Sequence, residues 1–238
     1  MRIALIADLH GNWPAIQTLE KDLQRQKVDQ VICLGDMVGK GPSSDRTFDW
    51  AMANCAFVLG GNWDYGIGAK HFPNDHFYWN QMGPKRLDLL RALPREHTLL
   101  FGGRCIRLFH GRPLMDSLVT IHDPSEAITP FFTGKNEEHY DVVIYADTHR
   151  QALRTMMSGL FVNCGSVGNA LGEPRCCYAL LEGTQGGADD FELRFRQVHY
   201  DRAQAIEDAR LTPAVPGIDL YIRELETGIY SRPTQTKG

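Results

Sequence analysis

Five short apolar runs, each ending beside a residue that can bind a metal, constrain this chain more than any other feature. Ile3-Ala4-Leu5-Ile6-Ala7 leads into Asp8 and His10, Val31-Ile32-Cys33-Leu34 into Gly35-Asp36, and Phe57-Val58-Leu59 into Gly60-Gly61-Asn62. Ile106-Arg107-Leu108-Phe109 stops at His110, and Asp141-Val142-Val143-Ile144-Tyr145 stops just before Asp147 and His149. Runs this short and this apolar suit strands covered on both faces. In an α/β sheet the carboxyl ends of such strands share one edge, which is where ligands bind.

The segments between the runs agree with crossovers. Asn12 can cap a helix with Pro14 in its first turn and Ile16, Leu19 and Leu23 on one face. A second helix is expected over 44–54. The 28-residue step from Asp8 to Asp36 fits one strand–helix–strand unit, which makes the two carboxylates neighbours. Residues 63–95 are dense in aromatics, Trp63, Tyr65, Phe72, Phe77, Tyr78 and Trp79, with a helix near 85–93 that stops before Pro94. This cluster reads either as local core or as a cap offering stacking faces to a base. Strands follow at 98–101 and 106–109 around Gly102-Gly103, at 141–145, and at 152–156, 160–163, 178–181 and 191–198. The tail is read as a helix over 203–211 and an irregular end past Pro213. With no internal repeat or linker, the expectation is one α/β domain over 1–238 with two sheets, 63–95 as an aromatic-rich cap and 200–238 as a C-terminal extension.

Bulk properties exclude several classes. The formal charge of −4 gives no general pull toward nucleic acid. No stretch approaches the roughly 18 apolar residues of a membrane span, and the N-terminus has no signal-peptide layout. Six cysteines show no C-x-x-C pairing, four lie inside apolar runs, and adjacent Cys176 and Cys177 would face opposite sides of a strand. A cytoplasmic protein with no membrane partner fits all of this.

Taken singly, a Gly-Asp is a turn and a lone histidine is a hydrogen-bonded core residue. Five strand ends carrying ligand types are a different matter. Oxygen and imidazole donors converging on one edge call for divalent cations, and the mixed set suits manganese, iron or zinc better than calcium.

Asp8-Leu9-His10-Gly11-Asn12, Gly35-Asp36-Met37-Val38-Gly39-Lys40-Gly41-Pro42, Gly61-Asn62-Trp63-Asp64, His110-Gly111 and Asp147-Thr148-His149 resemble, in order, the motif set of calcineurin-like metallophosphoesterases. Within that superfamily the chain looks most like the small single-domain phosphodiesterases. Gly61-Asn62-Trp63-Asp64 and the loop Val162-Asn163-Cys164-Gly165-Ser166-Val167-Gly168 look closest to asymmetric diadenosine tetraphosphate hydrolases. The resemblance implies a four-layer α/β/β/α sandwich of two mixed sheets flanked by helices. It also implies two divalent or mixed-valence transition metals, manganese and iron foremost, with zinc, nickel or magnesium as alternatives. Asp8, His10 and His149 would hold the first metal, Asp36 would bridge, and Asn62, His110 and Asp147 would complete the second. Two cations roughly 3.5–4 Å apart would acidify a bridging water, whose hydroxide attacks phosphorus in line.

The chain departs from the pattern twice. Trp63 stands where the superfamily commonly has a histidine assigned to the leaving group, so Asp64, Arg112 or a water takes that role. Ala146-Asp147-Thr148-His149 stands for an expected Gly-His-Thr-His, which changes the charge balance of the second site. Candidate substrate contacts are Asn12, which serves equally as a helix cap, Lys40 and Arg112, either of which can clamp a distal phosphate, and Trp63 as a stacking face. Ser166 and Gly168 lie in a loop open to close backbone approach. The expected activity is hydrolysis of a phosphodiester or phosphoanhydride, with a dinucleoside polyphosphate favoured. A phosphomonoesterase is the second enzyme reading. A scaffold, as in the retromer sorting subunit of the same fold, is the rival from another class. The oligomeric state is open.

Overall fold

The computed structural model describes residues 1–184 and 190–232. Its first sheet runs in the order β10-β9-β1-β2-β3 and its second in the order β4-β5-β6-β8-β7. In chain order the elements are β1 (Arg2–Ile6), α1 (Trp13–Arg25), β2 (Gln30–Cys33), α2 (Ser44–Asn54), β3 (Phe57–Val58), α3 (Asn62–Gly68) and α4 (His76–Ala92). The hairpin β4 (Glu96–Phe101) and β5 (Arg104–Phe109) follows, then α5 (Ser125–Ile128), a 3₁₀ turn at Thr129–Phe132, and β6 (Val142–Tyr145). The chain closes with β7 (Gln151–Met156), β8 (Gly159–Cys164), β9 (Cys176–Gly183), β10 (Phe191–Val198), α6 (Arg202–Arg210) and α7 (Ile218–Thr227).

Two sheets flanked by helices form the four-layer sandwich, and the alternation of side chains in a strand builds its layers. In β1, Ala4 and Ile6 point to the helical side with Ile16, Leu19, Tyr78 and Tyr221, whereas Ile3 and Leu5 point between the sheets toward Ile106, Leu108 and Ile144. In β6, Val142 and Ile144 join the inter-sheet core, and Val143 and Tyr145 pack outward with Phe132 and Phe161. Every residue of β6 is buried, which explains its unbroken apolar sequence. β1, β2 and β3 pair in parallel, as do β5, β6 and β8. Their carboxyl ends therefore gather at one rim.

Most expected elements are present within a residue or two. The helix near 85–93 begins earlier, at His76, because Gly83 (φ 67°, ψ 168°) and Pro84 link two helical pieces that only the second apolar stripe reveals. Helix α3 had no predicted counterpart. The tail past Pro213 is not irregular. Pro216 and Gly217 interrupt it once, and Ile218, Tyr221 and Leu225 then bury one face of α7 against the first sheet's helical core. Asn12 caps α1, its Oδ1 accepting from the Ala15 N–H at 3.2 Å. All six cysteines are free. Among the described residues no helix is long and apolar enough to cross a membrane.

One polar cross-link ties α1 to the sheet. Buried Asp22 accepts a hydrogen bond from the Tyr178 hydroxyl at 2.7 Å and a fork from Arg196 at 2.9–3.2 Å. Burial works to raise the Asp22 pKa, but these donors outweigh it and hold the carboxyl below its ordinary value. A depressed acid stabilises the fold above its unfolded pKa and loses that contribution as pH falls through the folded one. Asp22→Asn is therefore expected to cost about 1.5–3 kcal/mol at pH 7. The gap from wild type should shrink below about pH 4. Urea denaturation at both pH values measures it, and a pH-independent gap would refute the ionic role.

Candidate metal centre

The strand-end residues meet because the backbone ladder continues past the strands. Asp8 N–H donates to Gly35 O at 2.9 Å and His10 N–H to Asp36 O at 3.1 Å, which locks the first two loops in register. Val167 and Gly168 N–H groups donate to Ala7 O and Asp8 O, both at 2.9 Å, and the Ser166 hydroxyl also donates to Asp8 O. Ala146 N–H donates to His110 O at 2.7 Å, joining the loops of the second sheet.

This arrangement holds backbone strain. Nine described non-glycine residues have positive φ, and six of them are Asp8, His10, Asp36, Lys40, Asp147 and His149. Such conformations cost of order 1–3 kcal/mol each and persist only where the surroundings over-determine them. Their concentration here singles out the rim as the candidate site.

Two ligand groups overlap. Asp8, His10 and His149 form one and Asp8, Asp36 and His110 the other, all buried, with donor atoms within 4.8 Å of one another in each. Asp8 Oδ1 lies 3.7 Å from His10 Nε2, 3.4 Å from His149 Nε2 and 3.8 Å from His110 Nε2. Asp36 Oδ2 lies 3.3 Å from His110 Nε2 and 3.7 Å from His10 Nε2. Both carboxylates thus reach both groups.

The histidine tautomers are fixed from behind. Nδ1 of His10 faces Val38 O at 3.1 Å, that of His110 faces Leu34 O at 3.0 Å, and that of His149 faces Asn169 O at 2.6 Å. A carbonyl only accepts, so each Nδ1 carries a proton and each Nε2 faces inward, the orientation a metal-binding imidazole needs; on neutral His10 and His149 that nitrogen presents a lone pair, and His110 would present one on giving up its second proton to a cation. Burial, then the nearby Lys40, keeps His10 and His149 neutral, with pKa values well below the usual. Burial also pushes the Asp8 carboxyl well up. Burial opposes charge on His110, but Asp36 and then Asp8 outweigh it and hold its pKa up to about 10.

Four inward atoms have no hydrogen-bond partner: Asp8 Oδ1 and Oδ2, Asn62 Oδ1 and His110 Nε2. Buried polar atoms are rarely left so. Orphaned oxygens beside inward imidazole nitrogens are the donor set that a borderline transition metal takes. The residues fit such a cation.

The remaining candidates are placed as follows. Asp36 Oδ1 accepts from Trp63 N–H at 2.8 Å, leaving Oδ2 for the centre. Asp64 is fully buried and accepts from the backbone N–H groups of Asp36, Gly61 and Met37 at 2.7, 2.9 and 3.1 Å. Burial and then Asp36 raise its pKa to about 7. With its oxygens so engaged it ties the Asp36 and Gly61 loops together. Asn12 is likewise committed, its Nδ2 donating to Gly168 O at 2.7 Å and Tyr200 Oη at 3.3 Å. In this structure it serves as a cap and loop anchor.

Asp147 is not gathered into either ligand group. Arg112 holds its carboxylate in a fork, Nε to Oδ2 at 2.8 Å and Nη2 to Oδ1 at 2.6 Å, and Arg112 N–H adds a third bond at 3.0 Å. Against the cost of burial, these donors bring its pKa down to about 2. The same fork occupies Arg112, one of the two expected phosphate clamps. The other clamp, Lys40, is 3% exposed, donates to Asn169 Oδ1 at 2.7 Å and has its Nζ 3.5 Å from His149 Nε2. Of the aromatics, Trp63 lies edge-on to His10 at 5.9 Å, whereas Tyr65 donates to Leu93 O at 2.8 Å and Trp79 stacks edge-on against His76. Asn169 and Glu224, both fully buried and touching Lys40, had no local signal in the sequence.

The comparisons agree with this geometry. The model of the calcineurin-like phosphoesterase superfamily domain matches residues 1–186. The chain belongs to that family. A metallophosphoesterase from Sphaerobacter thermophilus has the same fold, with TM-score 0.73 and 21% identity over 96% of this chain and 99% of the other. Hypothetical protein PH1004 from Pyrococcus horikoshii OT3 gives 0.77 and 20% over 96% and 98%. A zinc complex of Vps29 from Entamoeba histolytica gives 0.51 and 18% over 83% and 99%. In sequence, the uncharacterized protein MJ0912 of Methanocaldococcus jannaschii is 22% identical over 86% of this chain and 90% of its own length.

The tightest steric constraint in the family's Gly-Asn motif is at Gly61, where a Cβ would lie 2.1 Å from Asp36 Oδ1. Gly61→Ala must push that carboxylate aside. The expected result is a folded protein, destabilised by about 1–3 kcal/mol, that loses most of its bound transition metal. Circular dichroism with elemental analysis checks it, and full metal content in the variant would refute the packing argument.

Proposed function

We propose that the chain is a dinuclear metal-dependent hydrolase of phosphodiester or phosphoanhydride bonds. The observation that carries this reading is the pair of ligand groups sharing Asp8, with inward oxygens and nitrogens left without partners. In this reading Asp8, His10 and His149 hold one cation. Asp36, His110 and the Asn62 amide oxygen hold the second, with Asp8 and Asp36 both near enough to be shared. Asp147 acts through Arg112, which its carboxylate aims and neutralises, and not as a metal ligand. Manganese, iron or a mixed pair suits the mixed oxygen and imidazole donor set, and zinc, nickel or magnesium are the alternatives the metal analysis tests. Such cations supply Lewis acidity toward a phosphoryl oxygen and make water nucleophilic near neutral pH.

The chain's own residues do the rest. The buried Lys40 ammonium meets a phosphoryl oxygen of the substrate beside His149. Trp63, half-buried and edge-on to His10, offers a stacking face to a base, which favours a nucleotide such as a dinucleoside polyphosphate. Asp64 and Gly61 hold the Asp36 loop rigid, which keeps the reacting geometry preorganised. The six free cysteines suit a reducing, cytoplasmic setting. The interaction-module reading is weaker because both groups bring three buried metal-ligand residues together.

The test is elemental analysis of the purified protein, then reconstitution with Mn²⁺, Fe²⁺ or Zn²⁺ and assay on bis-p-nitrophenyl phosphate, p-nitrophenyl phosphate and diadenosine tetraphosphate. Two ions per chain and faster turnover of the diester and the dinucleotide are expected. Asp8→Asn should remove nearly all turnover and lower metal content at both positions. Asp147→Ala should keep both ions, and loss of one ion in that variant would restore Asp147 to the ligand set. A protein that takes up no metal and turns over none of the three substrates would favour a scaffold.

A further inference from the structure

The family match ends at residue 186, yet the buried Lys40 ammonium at the metal centre leans on a residue well beyond it. Glu224 on α7 is fully buried, with Oε2 3.7 Å from Lys40 Nζ and Oε1 3.9 Å from Arg232 Nε. Oε1 also accepts from Ser231 N–H at 3.1 Å, which holds the segment after α7 against the carboxylate. The helix and its continuation therefore form a wall of the site built by the C-terminal extension.

The Arg232 guanidinium is poorly satisfied where it lies. Its ion pair with Glu224 is beyond hydrogen-bond distance, its Nη2 reaches Gly217 O only at 3.4 Å, and Nε has no hydrogen-bond partner among the described residues although the side chain is only 14% exposed. Glu224 Oε2 likewise has the Lys40 ion pair but no hydrogen bond among the described residues. Asp75 also feels the field of Arg232, but no hydrogen bond joins them among the described contacts. Arg112 is the contrast, its fork filled by Asp147. Arg232 lies 5.2 Å over the Trp63 ring, which is edge-on to His10. A planar donor fork backed by an aromatic face, with donors unfilled and a lysine sharing its carboxylate, is suited to a tetrahedral oxyanion.

We propose that Arg232, aimed by Glu224, forms with Lys40 a subsite for a second, non-scissile phosphoryl group. The substrate class is then one carrying at least two linked phosphates, such as a nucleoside diphosphate or polyphosphate ester. This rests on the phosphoesterase reading for the scissile group alone. Glu224 is a positioning residue and touches no substrate. Its single carboxylate spaces the two cations so that each keeps donors free.

ADP and AMP share base and ribose and differ by one phosphoryl group, so their affinity ratio isolates the subsite. Calorimetry on the Mn²⁺-loaded protein at fixed free metal should show ADP binding at least about tenfold more tightly than AMP. Arg232→Gln should bring the ratio near one, Arg232→Lys should restore part of it, and Glu224→Gln should lower it with AMP affinity falling less than ADP affinity. Equal affinities in the wild type would overturn the proposal whatever the variants do, as would an unchanged ratio in Arg232→Gln. An Arg232-dependent ratio in a protein that hydrolyses no phosphodiester would sink the hydrolase reading and leave the subsite standing.

Discussion

Two carboxylates, Asp8 and Asp36, buried side by side at the rim of two sheets are the constraint on which the rest of the architecture depends. Ionised groups this deep are expensive unless positive charge or hydrogen bonds compensate them. Asp36 draws one hydrogen bond from the Trp63 N–H, and Asp8 draws none at either oxygen. The compensation within the protein is the positive charge on His110 and the ammonium of Lys40, both at the centre. A bound cation supplies that charge more directly, and the inward imidazole nitrogens are already oriented for it. The fold is thus poised for metal by what it leaves unsatisfied.

Holding such a pair requires rigid loops. The left-handed backbone at Asp8, His10, Asp36, Asp147 and His149 turns each side chain back over its strand end, and hydrogen bonds from neighbouring loops fix each turn. Asp64 shows how far this goes. A third buried carboxylate beside Asp36 adds electrostatic cost, and it is offset by hydrogen bonds from three backbone N–H groups. The strands that carry these loops are buried in the two-sheet core, which braces the strained turns.

The strands and their terminal ligands were legible in the sequence because both are local. An apolar run of four or five residues ending on Asp or His needs no knowledge of the fold. The pairings that decide what a ligand-type residue does were not legible. Asp147 looks like a ligand by position, and only the approach of Arg112 from another loop shows where its charge is spent. Asp64 follows Asn62 and Trp63 in a motif, and only three-dimensional contact shows its oxygens filled from behind. Helix α7 was hidden by Pro213, Pro216 and Gly217, although its Ile218, Tyr221 and Leu225 spacing carries the helical period.

The Arg112–Asp147 fork also bears on why the chain tolerates a carboxylate where relatives of this family are expected to carry an imidazole. A third anionic ligand would neutralise two divalent cations once a nucleophile joined them, and phosphate would then bind weakly. A carboxylate whose charge is cancelled by a bidentate arginine adds no net negative charge to the centre. The electrostatic result therefore resembles a neutral side chain at that position, and the two-cation centre proposed above would keep its positive surplus. The same logic applies on the other wall, where one buried Glu224 faces both Lys40 and Arg232. On both sides the acid orients a cation, and the number of cations decides how much charge is left for the ligand.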